Sequence, residues 1–166
     1  YAGQSNLKRA WMELGGKSPN IVCADTADID AAVAASVGSI FFNQGESCNA
    51  PSRLLVEASI KDQFMERALK LIPQYAPADP LDPNTVMGAI VDETQMQNVM
   101  RYIEAGKSGG AKLLAGGEQV RRETGGYYVA PTVFDNVRND MTIAREEIFG
   151  PVLSVFAFDD EDEAIA

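Results

Sequence analysis

Histidine is absent from the 166 residues. Without an imidazole there is no Ser-His-Asp triad, no Cys-His dyad and no zinc site built on His, so acid–base chemistry near neutral pH falls to a perturbed Glu, Asp, Lys, Cys or Tyr. Only two cysteines occur, Cys23 and Cys48. Their sequence contexts differ so much that no disulfide framework is expected, and a reducing, cytoplasmic compartment fits their use. Cations are scarce too. The 14 Lys+Arg stand against 24 Asp+Glu, a formal charge of −10, and such a field repels phosphate backbones and anionic lipid surfaces. Neither nucleic acid nor a membrane is an expected partner. No apolar run approaches the roughly 20 residues of a membrane span, and no basic-then-apolar leader opens the chain.

What is present has the balance of an ordinary globular domain, 46% apolar and 23% charged, long enough to bury a core without a disulfide or a metal. Ile21-Val22-Cys23-Ala24 reads as a buried strand, with Cys23 an inert small hydrophobe inside it. Asp25 or Thr26 offers an N-cap to a helix whose apolar face is Ile29, Ala32, Val33, Ser36, Val37, Ile40 and Phe41. Asn43-Gln44-Gly45 reverses the chain just before Cys48. Arg53-Leu54-Leu55-Val56 is a second strand, and Ser59 with Asp62 opens a helix striped by Ile60, Phe64, Ala68, Leu71 and Ile72. Four of the eight prolines fall between Pro73 and Asn84, a loop. Asp92 and Gln95 form a capping box before Met96, Val99, Met100 and Ile103, and Gly106, Gly109 and Gly110 end that helix. Lys112-Leu113-Leu114, Tyr127 to Phe134 and Val152 to Phe158 complete the strands. This alternation predicts an α/β layer fold with a largely parallel sheet. The chain has no initiator Met, and acidic residues from Asp159 to Glu163 read as the first turn of a helix as it stops. Both suggest an excised piece of something longer.

Three segments concentrate candidate chemistry: Glu13-Leu14-Gly15-Gly16-Lys17-Ser18-Pro19-Asn20, Phe41-Phe42-Asn43-Gln44-Gly45-Glu46-Ser47-Cys48 and Glu146-Glu147-Ile148-Phe149-Gly150-Pro151-Val152. A thiol is partly ionised at neutral pH, and the thiolate is a potent nucleophile toward a carbonyl carbon. Cys48, between a glycine turn and a strand, is placed to be exposed in a cleft. Glu13 lies among apolar neighbours before two glycines that permit close backbone approach. An apolar pocket raises a carboxyl pKa, which suits a base working near pH 7.

Together the three segments resemble the aldehyde dehydrogenase family, in order and approximate spacing, and the resemblance runs from Tyr1 to Ala166. It implies a three-layer α/β/α catalytic domain over residues 1–166, truncated at both ends, with the N-terminal cofactor-binding domain absent. It also implies that Cys48 is the nucleophile and Glu13 the base for the deacylating water. Glu147 would bind the nicotinamide ribose and Phe149 would pack on the nicotinamide ring, a carboxylate accepting ribose hydroxyls and an aromatic face giving apolar contact. Leu14 and Gln95 fall on further cofactor-contacting positions, Gln95 toward the adenosine ribose.

The implied function is oxidation of a small aldehyde to a carboxylate with NAD or NADP, NAD favoured, through a cysteine thiohemiacetal and thioester. No metal takes part, the parent chain is a homodimer or homotetramer, and these residues alone are expected to be inactive. Three departures from the family pattern stand out. Asn98 replaces a frequent Lys, Glu46 replaces the usual Gln and is expected to face away from the sulfur, and one extra residue near Asp25-Thr26-Ala27 separates Glu13 from Cys48. The opening Tyr1-Ala2-Gly3-Gln4-Ser5-Asn6 is similar to bacterial members acting on amino-aldehydes, including the γ-glutamyl-γ-aminobutyraldehyde group. Two other readings compete: a non-catalytic α/β binding module or inactive remnant, and a cofactor-independent thiol esterase using the same Cys48 and Glu13.

Overall fold

The computed structural model describes residues 1–165. A five-stranded sheet has the order β1-β2-β7-β6-β3, built from β1 (Pro19–Val22), β2 (Arg53–Glu57), β7 (Val152–Phe158), β6 (Thr132–Asp135) and β3 (Lys112–Ala115). The first four are mutually parallel, and β3 runs antiparallel at the far edge. A two-residue ribbon, β4 (Gln119–Val120) with β5 (Tyr128–Val129), stands outside the sheet. The expected strand over residues 127–134 is therefore two, because Pro131 offers no N–H for a ladder and splits it.

Helices α1 (Ile29–Phe41), α2 (Ala58–Leu71), α3 (Glu93–Ser108) and α4 (Thr142–Arg145) lie between strands, and α5 (Glu161–Ile165) follows β7. Strand alternation sends successive side chains to opposite faces. Leu153 and Val155 enter one apolar cluster with Val33, Val37, Ile40, Phe41 and Phe64 of α1 and α2. Val152 and Phe156 enter a second with Met96, Val99, Ile103 and Ile143 of α3 and α4. The result is a three-layer α/β/α arrangement.

Three local readings are corrected. The N-cap of α1 is Asp28, whose carboxylate accepts from Ala31 N–H at 3.0 Å, because residues 25–27 are still loop. Asp92 caps α3 as expected, accepting from Gln95 N–H at 2.8 Å, but the Gln95 side chain does not return to close the box. Cys23 is half-buried rather than core, since β1 ends at Val22 and is an edge strand on which Ile21 is also exposed.

Candidate active site

Because β1, β2 and β7 are adjacent, parallel and in register, with Pro19 beside Arg53 and Arg53 beside Ser154, the segments that lead into their amino ends converge. Those leaders are the three chemistry-bearing segments. They meet at the amino edge of the strands, opposite the carboxyl edge where ligand crevices of open parallel sheets usually form.

One cleft of about 600 Å3 receives Glu13, Leu14, Cys48, Gln95, Glu147 and Phe149, every candidate residue. Gly15, Glu46, Ser47, Asn98 and Ile148 complete its lining. A second groove, of about 560 Å3, runs past Phe42, Ser47 and Asn49 toward α1, where it is floored by Ala34, Ala35, Gly38 and Ser39. Of the two chain neighbours of Cys48, Ser47 lines both the carboxylate-rich cleft and the groove of small side chains, and Asn49 lines the groove alone.

The chain reaches Cys48 through three consecutive left-handed residues, Asn43 (φ 47°), Gln44 (φ 58°) and Gly45 (φ 74°). The Asn43 side-chain amide donates to Glu46 O at 2.8 Å, which helps hold the first in place. Gly45 is required twice: its φ is positive, and a Cβ there would strike the Gly150 carbonyl. Two side chains then fasten this loop to the segment before α3. Gln44 Oε1 accepts from Gly88 N–H at 3.1 Å, and Glu46 Oε1 accepts from Val91 N–H at 3.2 Å. Glu46 lines the same cleft as Cys48, with its Oε1 engaged by Val91 N–H. Neither anchor was legible in the sequence, because their partners are backbone groups of a loop some 44 residues away.

The Cys48 thiol is held above its ordinary pKa, first by hydrogen bonding to the Glu13 carboxylate, then by desolvation and by the negative charge of Glu13. The N–H groups of Cys48 and Asn49 pull the other way. Glu13 is therefore close enough to act on the thiol, in the cleft that both residues line. The enclosure expected of Glu13 is not found. Glu13 is exposed, as are its apolar neighbours Trp11 (84%), Met12 and Leu14. Residues 5–18 form no regular element that would fold those side chains over the carboxylate.

The glycine pair after Glu13 does what close approach requires. Gly16 N–H donates to Glu147 Oε1 at 3.0 Å. A Cβ on Gly15 would strike the Glu147 carboxylate, and one on Gly16 would strike the Cys48 carbonyl. Beside them the Lys17 ammonium is buried without a hydrogen-bond partner among the described residues. Its pKa is lowered to about 8 by desolvation and by the Arg53 charge, against a raising influence of Glu147.

Gln95 Nε2 donates to Ile148 O at 3.0 Å and Phe149 O at 2.7 Å. A nicotinamide dinucleotide fits one end of this cleft: the Glu147 carboxylate has acceptor capacity beyond its bond to Gly16, and the Phe149 ring is 39% exposed. The pyrophosphate finds no counterpart, since the lining holds three carboxylates (Glu13, Glu46, Glu147) and no cation, with no glycine-rich helix start among them.

A sequence model described as the aldehyde dehydrogenase family matches residues 1–166. Retinal dehydrogenase 2 of Mus musculus is 47% identical over 164 residues, covering 99% of this chain and 31% of its own length. Among solved structures, the P. syringae indole-3-acetaldehyde dehydrogenase AldA in complex with NAD+ and IAA is 57% identical with a TM-score of 0.93, covering 99% of this chain and 33% of that one. The γ-glutamyl-γ-aminobutyraldehyde dehydrogenase of Burkholderia cenocepacia J2315 is 58% identical with a TM-score of 0.92, with the same coverage. The chain spans about a third of the length of these relatives. Signature segments, sheet topology and similarity along nearly the whole sequence agree: the chain belongs to the aldehyde dehydrogenase family.

Proposed function

We propose that this chain forms the thiol-bearing catalytic domain of an NAD(P)+-dependent aldehyde dehydrogenase. The observation that carries the reading is the single cleft in which a thiol, a carboxylate at its sulfur and a second carboxylate beside an exposed aromatic ring come together. The Cys48 thiolate attacks the aldehyde carbon, forming a C–S bond while the carbonyl π electrons move to oxygen. The Cys48 backbone N–H stabilises the oxyanion. Glu147 and Phe149 hold the nicotinamide end of the dinucleotide, which when bound supplies the acceptor for the aldehyde hydride. The acyl group is then a thioester on Cys48. Glu13 next takes a proton from water, hydroxide adds to the acyl carbon, and the C–S bond breaks to release the carboxylate.

The acidic cleft leaves the pyrophosphate to a further cofactor-binding domain, and the relatives' greater length supports that division. NAD is favoured over NADP, as the similar AldA was solved with NAD+. The small polar chain neighbours of the thiol, Ser47 and Asn49, suit a polar aldehyde, and the net charge of −10 suits an amino-aldehyde. The same charge disfavours nucleic acid and anionic membranes as partners. No helix among the described residues is long and apolar enough to cross a membrane, and both cysteines are free, the state a reducing cytoplasm maintains. Exposed Leu7, Trp11, Met12 and Leu14 support association into a homodimer or homotetramer.

Burst kinetics test the assignment in the enzyme that carries this chain. Cys48→Ser should abolish aldehyde oxidation, whereas Glu13→Gln should still acylate but hydrolyse the thioester slowly. Normal steady-state turnover by Glu13→Gln would remove Glu13 from the role of base.

A further inference from the structure

The consecutive carbonyls of Ile148 and Phe149 both aim at one atom, Gln95 Nε2, at 3.0 and 2.7 Å. Neighbouring carbonyls converge in this way because Phe149 is left-handed, with φ 55°. That conformation is strained for a non-glycine residue, and the two converging dipoles repel. The Gln95 amide has two hydrogens, and the two carbonyls take both. The reverse orientation would set Oε1 against two oxygens, so the orientation of the amide is fixed.

One turn further along α3, Val99 packs where a Cβ on Gly150 would strike it. Helix α3 thus seats the Glu147–Gly150 turn with a donor and an apolar contact. The far side of the turn is tied by Gly16 N–H to Glu147.

We propose that Gln95 is a positioning residue: by donating to both carbonyls it holds Phe149 left-handed and so presents the Phe149 ring to the cleft that contains Cys48. The inference rests on the aldehyde-oxidising reading of that cleft only for its kinetic consequence. It separates cleanly from a direct contact between Gln95 and a ribose. With both hydrogens committed, the amide could meet a hydroxyl only through Oε1. Gln95→Glu would keep that acceptor while placing a carboxylate against two carbonyl oxygens. Positioning therefore requires Gln95→Glu to be damaging, and direct acceptance requires it to be tolerated.

The first measurement needs no cofactor. Phe149→Trp in this chain places a reporter at the turn against a quiet background, as Trp11, the sole tryptophan, is 84% exposed. Near-ultraviolet circular dichroism should show an ordered signal from the introduced indole, which Gln95→Leu abolishes while the far-ultraviolet spectrum stays unchanged. Gln95→Glu should abolish it at pH 8 and recover it in part as the carboxyl protonates and donates one bond. An unchanged signal in both variants overturns the proposal.

The second measurement uses the enzyme that carries this chain. Gln95→Leu and Gln95→Glu should each raise KM for NAD+ roughly tenfold, with a smaller fall in kcat, the scale of one to two lost hydrogen bonds. Gln95→Glu should also acquire a pH dependence that Gln95→Leu lacks. A Gln95→Glu enzyme with unaltered KM beside an impaired Gln95→Leu would overturn positioning in favour of direct contact. Absence of aldehyde oxidation with Gln95 intact would instead defeat the functional reading, and the indole signal would still decide whether Gln95 holds the turn.

Discussion

Gly16 N–H donates to Glu147 Oε1 at 3.0 Å across a sequence separation of 131. This bond couples the segment that carries the candidate base to the turn that carries the candidate ribose carboxylate. Gly16 also lies against the Cys48 carbonyl. One glycine therefore touches the other two segments of the site.

The two glycines should respond differently to a methyl group. In Gly15→Ala the new Cβ meets only the end of the Glu147 side chain, which can swing aside, so the fold should persist while the carboxylate is displaced. In Gly16→Ala the obstacle is the backbone of Cys48, and the nucleophile loop has to move, at a cost of about 1–3 kcal/mol. Chemical denaturation of both variants checks the contrast; equal losses would mean that Glu147 is as rigid as backbone.

Thiol reactivity should follow Glu13. Its carboxylate is the first cause of the raised Cys48 pKa, so Glu13→Gln should lower that pKa and speed iodoacetamide labelling of Cys48 near neutral pH. Cys23, raised by desolvation and then by Glu161, Asp25 and Glu57, should label at an unchanged rate. Peptide mapping separates the two, and slower labelling of Cys48 in Glu13→Gln would show that Glu13 helps ionise the thiol in the resting protein.

Lys17 predicts a pH dependence of stability. Its pKa falls from an ordinary 10.5 to about 8 on folding. Between those values the unfolded chain binds a proton that the folded chain has lost, so stability rises with pH from about 8 to 10.5 relative to Lys17→Met. Below pH 8 the folded chain carries a buried, unpartnered ammonium, and Lys17→Met should be the more stable protein. Thermal unfolding across this range reads both; parallel profiles for the two proteins would contradict the burial of the ammonium.

The anchor from Glu46 to Val91 N–H should tolerate Glu46→Gln, which retains an acceptor oxygen, and should weaken in Glu46→Ala by about 1 kcal/mol. Hydrogen exchange at Val91 measures it directly. Protection that survives in Glu46→Ala would assign the stability of this junction to Gln44 and Gly88 alone.

Cofactor affinity of this chain by itself should be weak. A cleft with three carboxylates and no cation can hold only the nicotinamide end, so calorimetry with NAD+ or NADP+ should detect little binding. A micromolar Kd would mean that the pyrophosphate site lies within these residues after all.

The sequence alone determined the type of most elements and marked the candidate residues. Apolar spacing located α1, α2 and α3, because one buried helical face repeats every three to four residues. The family resemblance marked six residues that the folded chain gathers into one cleft. What the sequence could not express were relations between backbone groups far apart in the chain. Residue identity at Gln95 suggests a capping box or a ribose contact; only the left-handed Phe149, which turns two carbonyls inward, makes it a double donor. Likewise the apolar neighbours of Glu13 suggested enclosure, yet Trp11, Met12 and Leu14 are exposed. Local hydrophobicity states that a side chain favours burial, and tertiary packing decides whether any surface is there to bury it.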